Sequence, residues 1–226
     1  MSSPVLELKS VCKSFITVDE ELKILKDINL VIPASSKIVI IGESGCGKST
    51  LLNIIGGLET PTSGSVIAGK YAVHSLGEDE LTKYRSTYLG LVFQFHYLLK
   101  DFTALENVML PAWMAGMKKK DAIDRAKSLL VDVKLENRMN HFPAQMSGGE
   151  RQRAAVARSL INNPSLLLAD EPTGNLDPAN AETVKELLFS VVSKHNNTLV
   201  LVTHDRGLAS LADTCYKLQE EGLVVQ

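Results

Sequence analysis

Nine residues, Gly42-Glu43-Ser44-Gly45-Cys46-Gly47-Lys48-Ser49-Thr50, space their glycines, lysine and hydroxyls in the order G-x-x-x-x-G-K-[ST]. Glycines let a backbone fold so that successive N–H groups converge on one point, and a helix start adds the positive end of its dipole. Such a loop holds phosphate oxygens. In it Lys48 would reach the β- and γ-phosphates of a nucleotide, and the Ser49 hydroxyl would ligate Mg²⁺. A second stretch, Leu166-Leu167-Leu168-Ala169-Asp170-Glu171, reads as a buried strand closing on two acids. Asp170 would stand beside the metal, directly or through water, and Glu171 would polarise an attacking water as general base. A third, Ser147-Gly148-Gly149-Glu150, opens a helix with unconsumed N–H groups and forms a second anion site. With a single nucleotide loop in the chain, that cap is expected to serve the nucleotide of a neighbouring copy.

The phosphate-loop motif has meaning only between a strand and a helix. Lys37 to Ile41 is a β-branched run suited to a fully buried strand, and Ser49 to Ile55 reads as a helix. Before them, Val5 to Leu8 and Ile28 to Ile32 alternate apolar with polar residues, as half-buried strands do. From about Thr103 to Ile161 the chain turns helical, with Ala122, Ala126, Leu129 and Leu130 at helical spacing. After Ser165 a strand (Leu166 to Ala169), a helix (about Ala179 to Ser193) and a strand (Thr198 to Thr203) follow one another. Strands alternating with helices predict a mostly parallel α/β sheet, and no linker or repeat separates the helical part from it.

Composition narrows the function classes. Hydrophobic residues make up 45% and charged residues 22%, which excludes a disordered chain. Lys and Arg number 24 against 26 Asp and Glu, and aromatics are 5%, so a nucleic-acid partner is not expected. Cys12, Cys46 and Cys215 are odd in number and widely spaced, which points to a reducing compartment rather than disulfides or zinc. The apolar runs are of strand length and Met1-Ser2-Ser3-Pro4 lacks the blocks of a signal peptide, so the expectation is a cytosolic chain unless something holds it at a membrane.

The loop at 42–50, Gln94 after an apolar strand, MSGGERQR at 146–153, LLLADEPTGNLD at 166–177 and His204 after a strand resemble, in that order, the ATP-binding cassette (ABC) ATPases. The resemblance spans almost the whole chain. It implies an α/β P-loop NTPase cassette: a RecA-like, mostly parallel core (about 1–95 and 162–226) with an N-terminal antiparallel β-subdomain and an inserted α-helical subdomain (about 96–161). It implies an ATPase that turns over ATP with Mg²⁺ as a homodimer. Residues Gly42 to Thr50, Cys46 through its backbone N–H alone, would cradle the nucleotide of one copy, and Ser147 to Glu150 would close over the γ-phosphate from the other. Gln94 would contact the metal and the attacking water and link catalysis to transport subunits. Asn175-Leu176-Asp177 would signal between the copies. His204 would contact the γ-phosphate and hold Glu171 and water in line. Phe15 looks like the aromatic on which adenine stacks.

Within that family, Val92 to Val108 resembles the LolD group, which powers lipoprotein release, and the related MacB-type cassettes. The resemblance implies integral membrane permease partners similar to LolC and LolE, and a place on the cytoplasmic face of the bacterial inner membrane. Phe95, Tyr97 and Phe102 would line the groove that accepts a short helix of such a partner. The alternatives are a MacB-type export cassette and an FtsE-like signalling ATPase. Two departures from the group's pattern, Ala34 to Lys37 before the buried strand and Lys100 where Pro is common, lie away from the chemistry.

Overall fold

Alternating side chains make the first strands one-sided. In β1 (Leu6–Ile16), Leu6, Leu8 and Val11 are buried while Lys9 and Ser10 face solvent. The computed structural model describes residues 4–16, 20–220 and 222–226. After β1 come β2 (Glu21–Ile32), β3 (Lys37–Ile41), α1 (Lys48–Ile55), β4 (Ser63–Ala68), β5 (Tyr71–Ala72), α2 (Glu78–Thr87) and β6 (Leu89–Val92). Then follow α3 (Ala104–Met114), α4 (Lys119–Asp132), α5 (Gly148–Leu160), β7 (Leu166–Asp170) and α6 (Pro178–Lys194). The chain ends on β8 (Thr198–Thr203), β9 (Thr214–Gln219) and β10 (Gly222–Val225). These elements form two compact units, Met1–Arg85 with Thr198–Gln226, and Ser86–Asn197.

In the first unit an antiparallel sheet has the strand order β2-β1-β4-β5. The register of β1 slips three times between Leu8 and Ser14, with Ser10 in the left-handed region, so the strand bends and its far end is re-aimed. A second group of strands is parallel: β3 lies between β8 and β9, and β10 closes antiparallel on β9. Ile38 to Ile41 are buried on both faces, which is why this stretch reads as a continuous apolar run. Ile41 pairs with Thr203, so residue 42 and residue 204 leave the strands at the same edge. The sheet grouping and the predicted strands and helices at 37–55 and 198–203 stand as read.

The second unit pairs β6 with β7 in parallel and surrounds them with helices. Its centre is α5, buried on nearly every side through Ala154, Ala155, Val156, Ala157 and Leu160. Small residues there let α3, α4, α6 and β6 all pack on it. Asn107 on α3 is 2% exposed. Its amide accepts from Leu99 N and donates to the carbonyls of Leu99, Phe102 and Thr103 at 2.7–3.0 Å. One side chain thus fixes the loop that enters α3. At the other end of the unit, Asp132 accepts from Lys194 Nζ at 2.6 Å and sits 2.9 Å from His195 Nε2, tying the end of α4 to the end of α6. Burial pushes this carboxyl up, but the hydrogen bonds and charges of Lys194 and His195 outweigh it and hold it below its usual range.

Two expectations follow. Asn107→Ala removes the side-chain hydrogen bonds that fix the loop entering α3 and should cost about 2–4 kcal/mol in urea unfolding. The folded Asp132 carboxyl titrates below its unfolded value of about 3.9, so its contribution is present above that pH and lost as pH falls through the folded value. Asp132→Asn should therefore be less stable than the parent at pH 7, with a difference that shrinks below about pH 4 in unfolding curves taken at both ends.

Candidate nucleotide site

The loop after β3 turns on two glycines. Gly45 and Gly47 adopt φ of +82° and +100°, which L side chains rarely take. A Cβ on Gly47 would also stand 2.8 Å from Ile24 Cγ2 and 2.9 Å from Leu25 Cδ2, so a side chain there is strained and must displace its neighbours. Gly47 is the N-cap of α1 and accepts the N–H of Leu51 at 2.9 Å. Lys48 is 7% exposed, and its ammonium donates to the carbonyls of Gly42 at 2.9 Å and Glu43 at 2.8 Å. A buried cation held by loop carbonyls, with left-handed glycines on either side of Cys46, fits an anion cradle. Ser49 is exposed on the first turn of α1, Thr50 follows it, and Glu43, Ser44 and Gly45 face solvent. In the same unit His204 is exposed just beyond β8, where Asp205 N–H donates to Thr203 Oγ1 and Asp205 caps the next turn through Gly207 N–H.

In the second unit β7 delivers Asp170, half-buried, at its last position. Glu171 then takes φ +43°, a left-handed conformation unusual for a glutamate, and its carbonyl accepts Gly174 N–H at 3.0 Å. The chain therefore reverses at once, and strain of this kind gathers at sites of chemistry. The turn meets Gln94: Gln94 Nε2 donates to Asn175 Oδ1 at 3.0 Å, and Asn175 Nδ2 returns a bond to Gln94 O at 3.4 Å. Asp177 caps α6 through Asn180 N–H, with Pro178 at the first helical position, and the Asn180 side-chain amide, ahead of that cap, holds its carboxyl below the usual range. Two segments given separate roles in the sequence are thus bonded to each other. Among the described residues no cluster of three or more His, Cys, Asp or Glu side chains could hold a metal by itself.

The helix start at 147 is a reciprocal cap. Ser147 Oγ accepts Glu150 N–H at 3.1 Å, and Glu150 Oε2 accepts Ser147 N–H at 2.8 Å. Arg138 Nε donates to Glu150 Oε1 at 2.8 Å, and this bond leads the effects that hold the Glu150 carboxyl below its usual range. Gly148 is half-buried and Gly149 buried; a Cβ on Gly149 would stand 2.5 Å from Asn180 Oδ1, so the cap lies against the start of α6. Glu150, read as part of an anion site, is first a structural cap whose charge Arg138 offsets.

Sequence reasoning missed what holds the segment after Gln94. Gln152 donates to Phe93 O at 2.9 Å, and Arg158 to Tyr97 O at 2.7 Å and His96 O at 2.8 Å. Tyr97 takes φ +45° there. With Asn107 these side chains pin the backbone while Phe95, Tyr97 and Phe102 stay exposed. A surface pocket of about 360 Å³ opens on α3 and the start of α4, lined by Phe102, Glu106, Met109, Trp113, Lys119 and others. Of the three aromatics read as groove-lining, Phe102 alone lines this pocket. Phe15 lies near the end of β1, 39% exposed, with Lys13 Nζ 4.7 Å above its ring. No residue spacing signals the Gln152 and Arg158 pins, because each joins side chain to backbone across a long stretch of chain.

The ABC transporter family matches residues 25–174. The lipoprotein-releasing system ATP-binding protein LolD of Treponema denticola is 64% identical over 223 residues, 99% of either chain. LolD of Treponema pallidum is 55% identical over 224 residues, again 99% of either chain, and LolD of Saccharophagus degradans 44% over 219, 97% of this chain and 96% of that one. Among solved structures, the ATP-binding cassette MJ0796, in a dimeric post-hydrolysis state bound to ADP and Pi, matches with a TM-score of 0.88 at 39% identity, covering 98% of this chain and 97% of that one. Phosphate loop, acid-tipped strand and glycine-rich helix cap thus occur in a chain whose fold and sequence are those of one group. The chain belongs to the ABC transporter family, as an ATP-hydrolysing ATP-binding subunit of the LolD type.

Proposed function

We propose that two copies of this chain sandwich two ATP molecules, the loop 42–50 of one facing Ser147 to Glu150 of the other, and that the cycle drives lipoprotein release from the inner membrane. The observation that carries the ATP reading is Lys48, a buried ammonium that follows the left-handed Gly45 and Gly47 and is seated on two loop carbonyls. Its remaining N–H is the donor a γ-phosphate oxygen would take. The backbone N–H groups of Ser44 to Thr50 hold the other phosphate oxygens. In this reading residues 1–95 and 162–226 form the catalytic core and 96–161 the helical subdomain.

The donors assigned to the cation are a hydroxyl (Ser49), a carboxylate (Asp170) and an amide oxygen (Gln94), hard oxygens that suit Mg²⁺. Gln94 commits its amide N–H to Asn175, which leaves the oxygen for a cation. Mg²⁺ bound with ATP supplies neutralising charge to the β- and γ-phosphates. Glu171 accepts a proton from the attacking water, and His204 contacts the γ-phosphate and keeps that water in line. Phe15 offers a ring face to adenine. Ser147 and the glycine N–H groups after it bind the γ-phosphate of the partner copy, so two filled sites draw the copies together and hydrolysis releases them.

The pinned segment 93–103, with its exposed aromatics, supports a membrane partner, and identity to the LolD proteins supports permease subunits similar to LolC and LolE. No helix among the described residues is long and apolar enough to cross a membrane. In this reading the chain sits peripherally on the cytoplasmic face and passes work through Gln94 and the segment after it.

Glu171→Gln is expected to bind ATP, hydrolyse it at least about 100-fold more slowly and accumulate as a dimer in size-exclusion chromatography. Near-normal turnover would remove Glu171 as the base. Lys48→Ala should lose nucleotide affinity by a factor of about 10 or more in equilibrium binding. Tagged protein purified from detergent-solubilised native membranes should bring two distinct integral membrane proteins with large extracytoplasmic domains. One self-pairing partner would favour a MacB-like export or FtsE-like signalling complex, and none would overturn the transport reading.

A further inference from the structure

Lysine is rarely buried unless its charge is matched. Lys13, on β1, is 9% exposed. Its ammonium donates to Glu59 Oε1 at 2.6 Å and to Thr60 O at 2.8 Å, and it stands 4.7 Å from the centroid of the Phe15 ring. Both carbonyl and carboxylate come from the segment that follows α1. That segment also grips β1 through its backbone: Thr62 N–H donates to Cys12 O at 2.9 Å, and Ser14 N–H to Thr62 Oγ1 at 3.0 Å. It is in turn locked to the end of α1, where Leu58 and Glu59 N–H both donate to Asn53 O. A buried ion pair is weak evidence for stability, since packed apolar side chains serve as well or better. The arrangement here does something an apolar pair would not, because it fixes a cation against one face of an aromatic ring.

We propose that Lys13, held by Glu59, is a positioning residue for nucleotide recognition: it occupies one face of Phe15 and so orients the ring with its opposite face toward the adenine base. The proposal rests on the reading of Phe15 as the adenine platform. A cation on the ring face is attractive and directional, so it narrows the orientations open to a side chain near a strand end. Glu59 neutralises the ammonium, so Lys13 contributes to the base and not to the phosphates. The helix α1 carries the phosphate loop at its start and the Glu59 segment beyond its end, and one rigid element thereby sets the spacing between phosphate and base subsites.

The test compares equilibrium affinities of the intact protein for ATP and for ribose 5′-triphosphate, which lacks the base, in EDTA. Phe15→Leu should collapse the difference between the two ligands. Lys13→Met keeps the methylene packing and removes the cation; it should weaken ATP about three- to tenfold and leave ribose 5′-triphosphate unchanged. Lys13→Arg should restore most of the loss. In the Phe15→Leu background Lys13→Met should have no further effect. If Phe15→Leu collapses the difference while Lys13→Met leaves it intact or weakens both ligands equally, the role of Lys13 is overturned and the platform stands. If Phe15→Leu leaves the difference intact, the platform reading itself falls and the proposal with it.

Discussion

Binding an anion through the backbone demands N–H groups that no strand or helix consumes, and those groups must still be rigid. In a folded chain unconsumed N–H groups ordinarily sit in loops, where rigidity is lowest. This protein meets both demands by placing the loop directly between a strand buried on both faces, β3, and a helix whose first turn it caps. Gly45 and Gly47 supply the left-handed turns, Gly47 packed closely against Ile24 and Leu25, and the ammonium of Lys48 fills the centre. In the proposed reading, strand, helix and the packing around Ile24 and Leu25 keep a few amide protons in place for the phosphates.

The same device recurs at the other helix starts. Ser147 and Glu150 cap α5 reciprocally, and Asp177 caps α6 against Asn180. In each case the residues that satisfy the helix's own orphan groups also belong to the sequence segments of the proposed chemistry. In the proposed reading the α5 cap faces an anion, and the Arg138–Glu150 bond pairs its carboxylate sideways. Fold and site are made from the same bonds.

Much of this was legible in the chain. The run Lys37 to Ile41 and the glycines after it, the acid-tipped strand at 166–170 and the helix after Asp177 are local patterns whose physics acts within a few residues, and each formed where read. The stretch from Ser63 to Thr87 carried no clear signal: β5 has two residues, and α2 buries Tyr84 alone among its ten. Residues whose roles depend on distant partners were opaque. A lysine in a strand reads as solvated, and Lys13 is buried only because Glu59 lies 46 residues further on. Arg158 reads as one more charge on a helix, yet it holds carbonyls 61 and 62 residues away. The left-handed backbone of Glu171 and Tyr97 has no compositional mark, because neither is a residue that favours it.

The amides of Gln94 and Asn175 bond in both directions, side chain to side chain and side chain to backbone. A doubly tied pair has no intermediate in which one segment moves and the other keeps its full set of bonds. Either the two segments travel as one body, or both give up partners together. Information about the state of a bound nucleotide, if sensed at Gln94, therefore needs no relay to reach the turn before α6. The two are, mechanically, a single part.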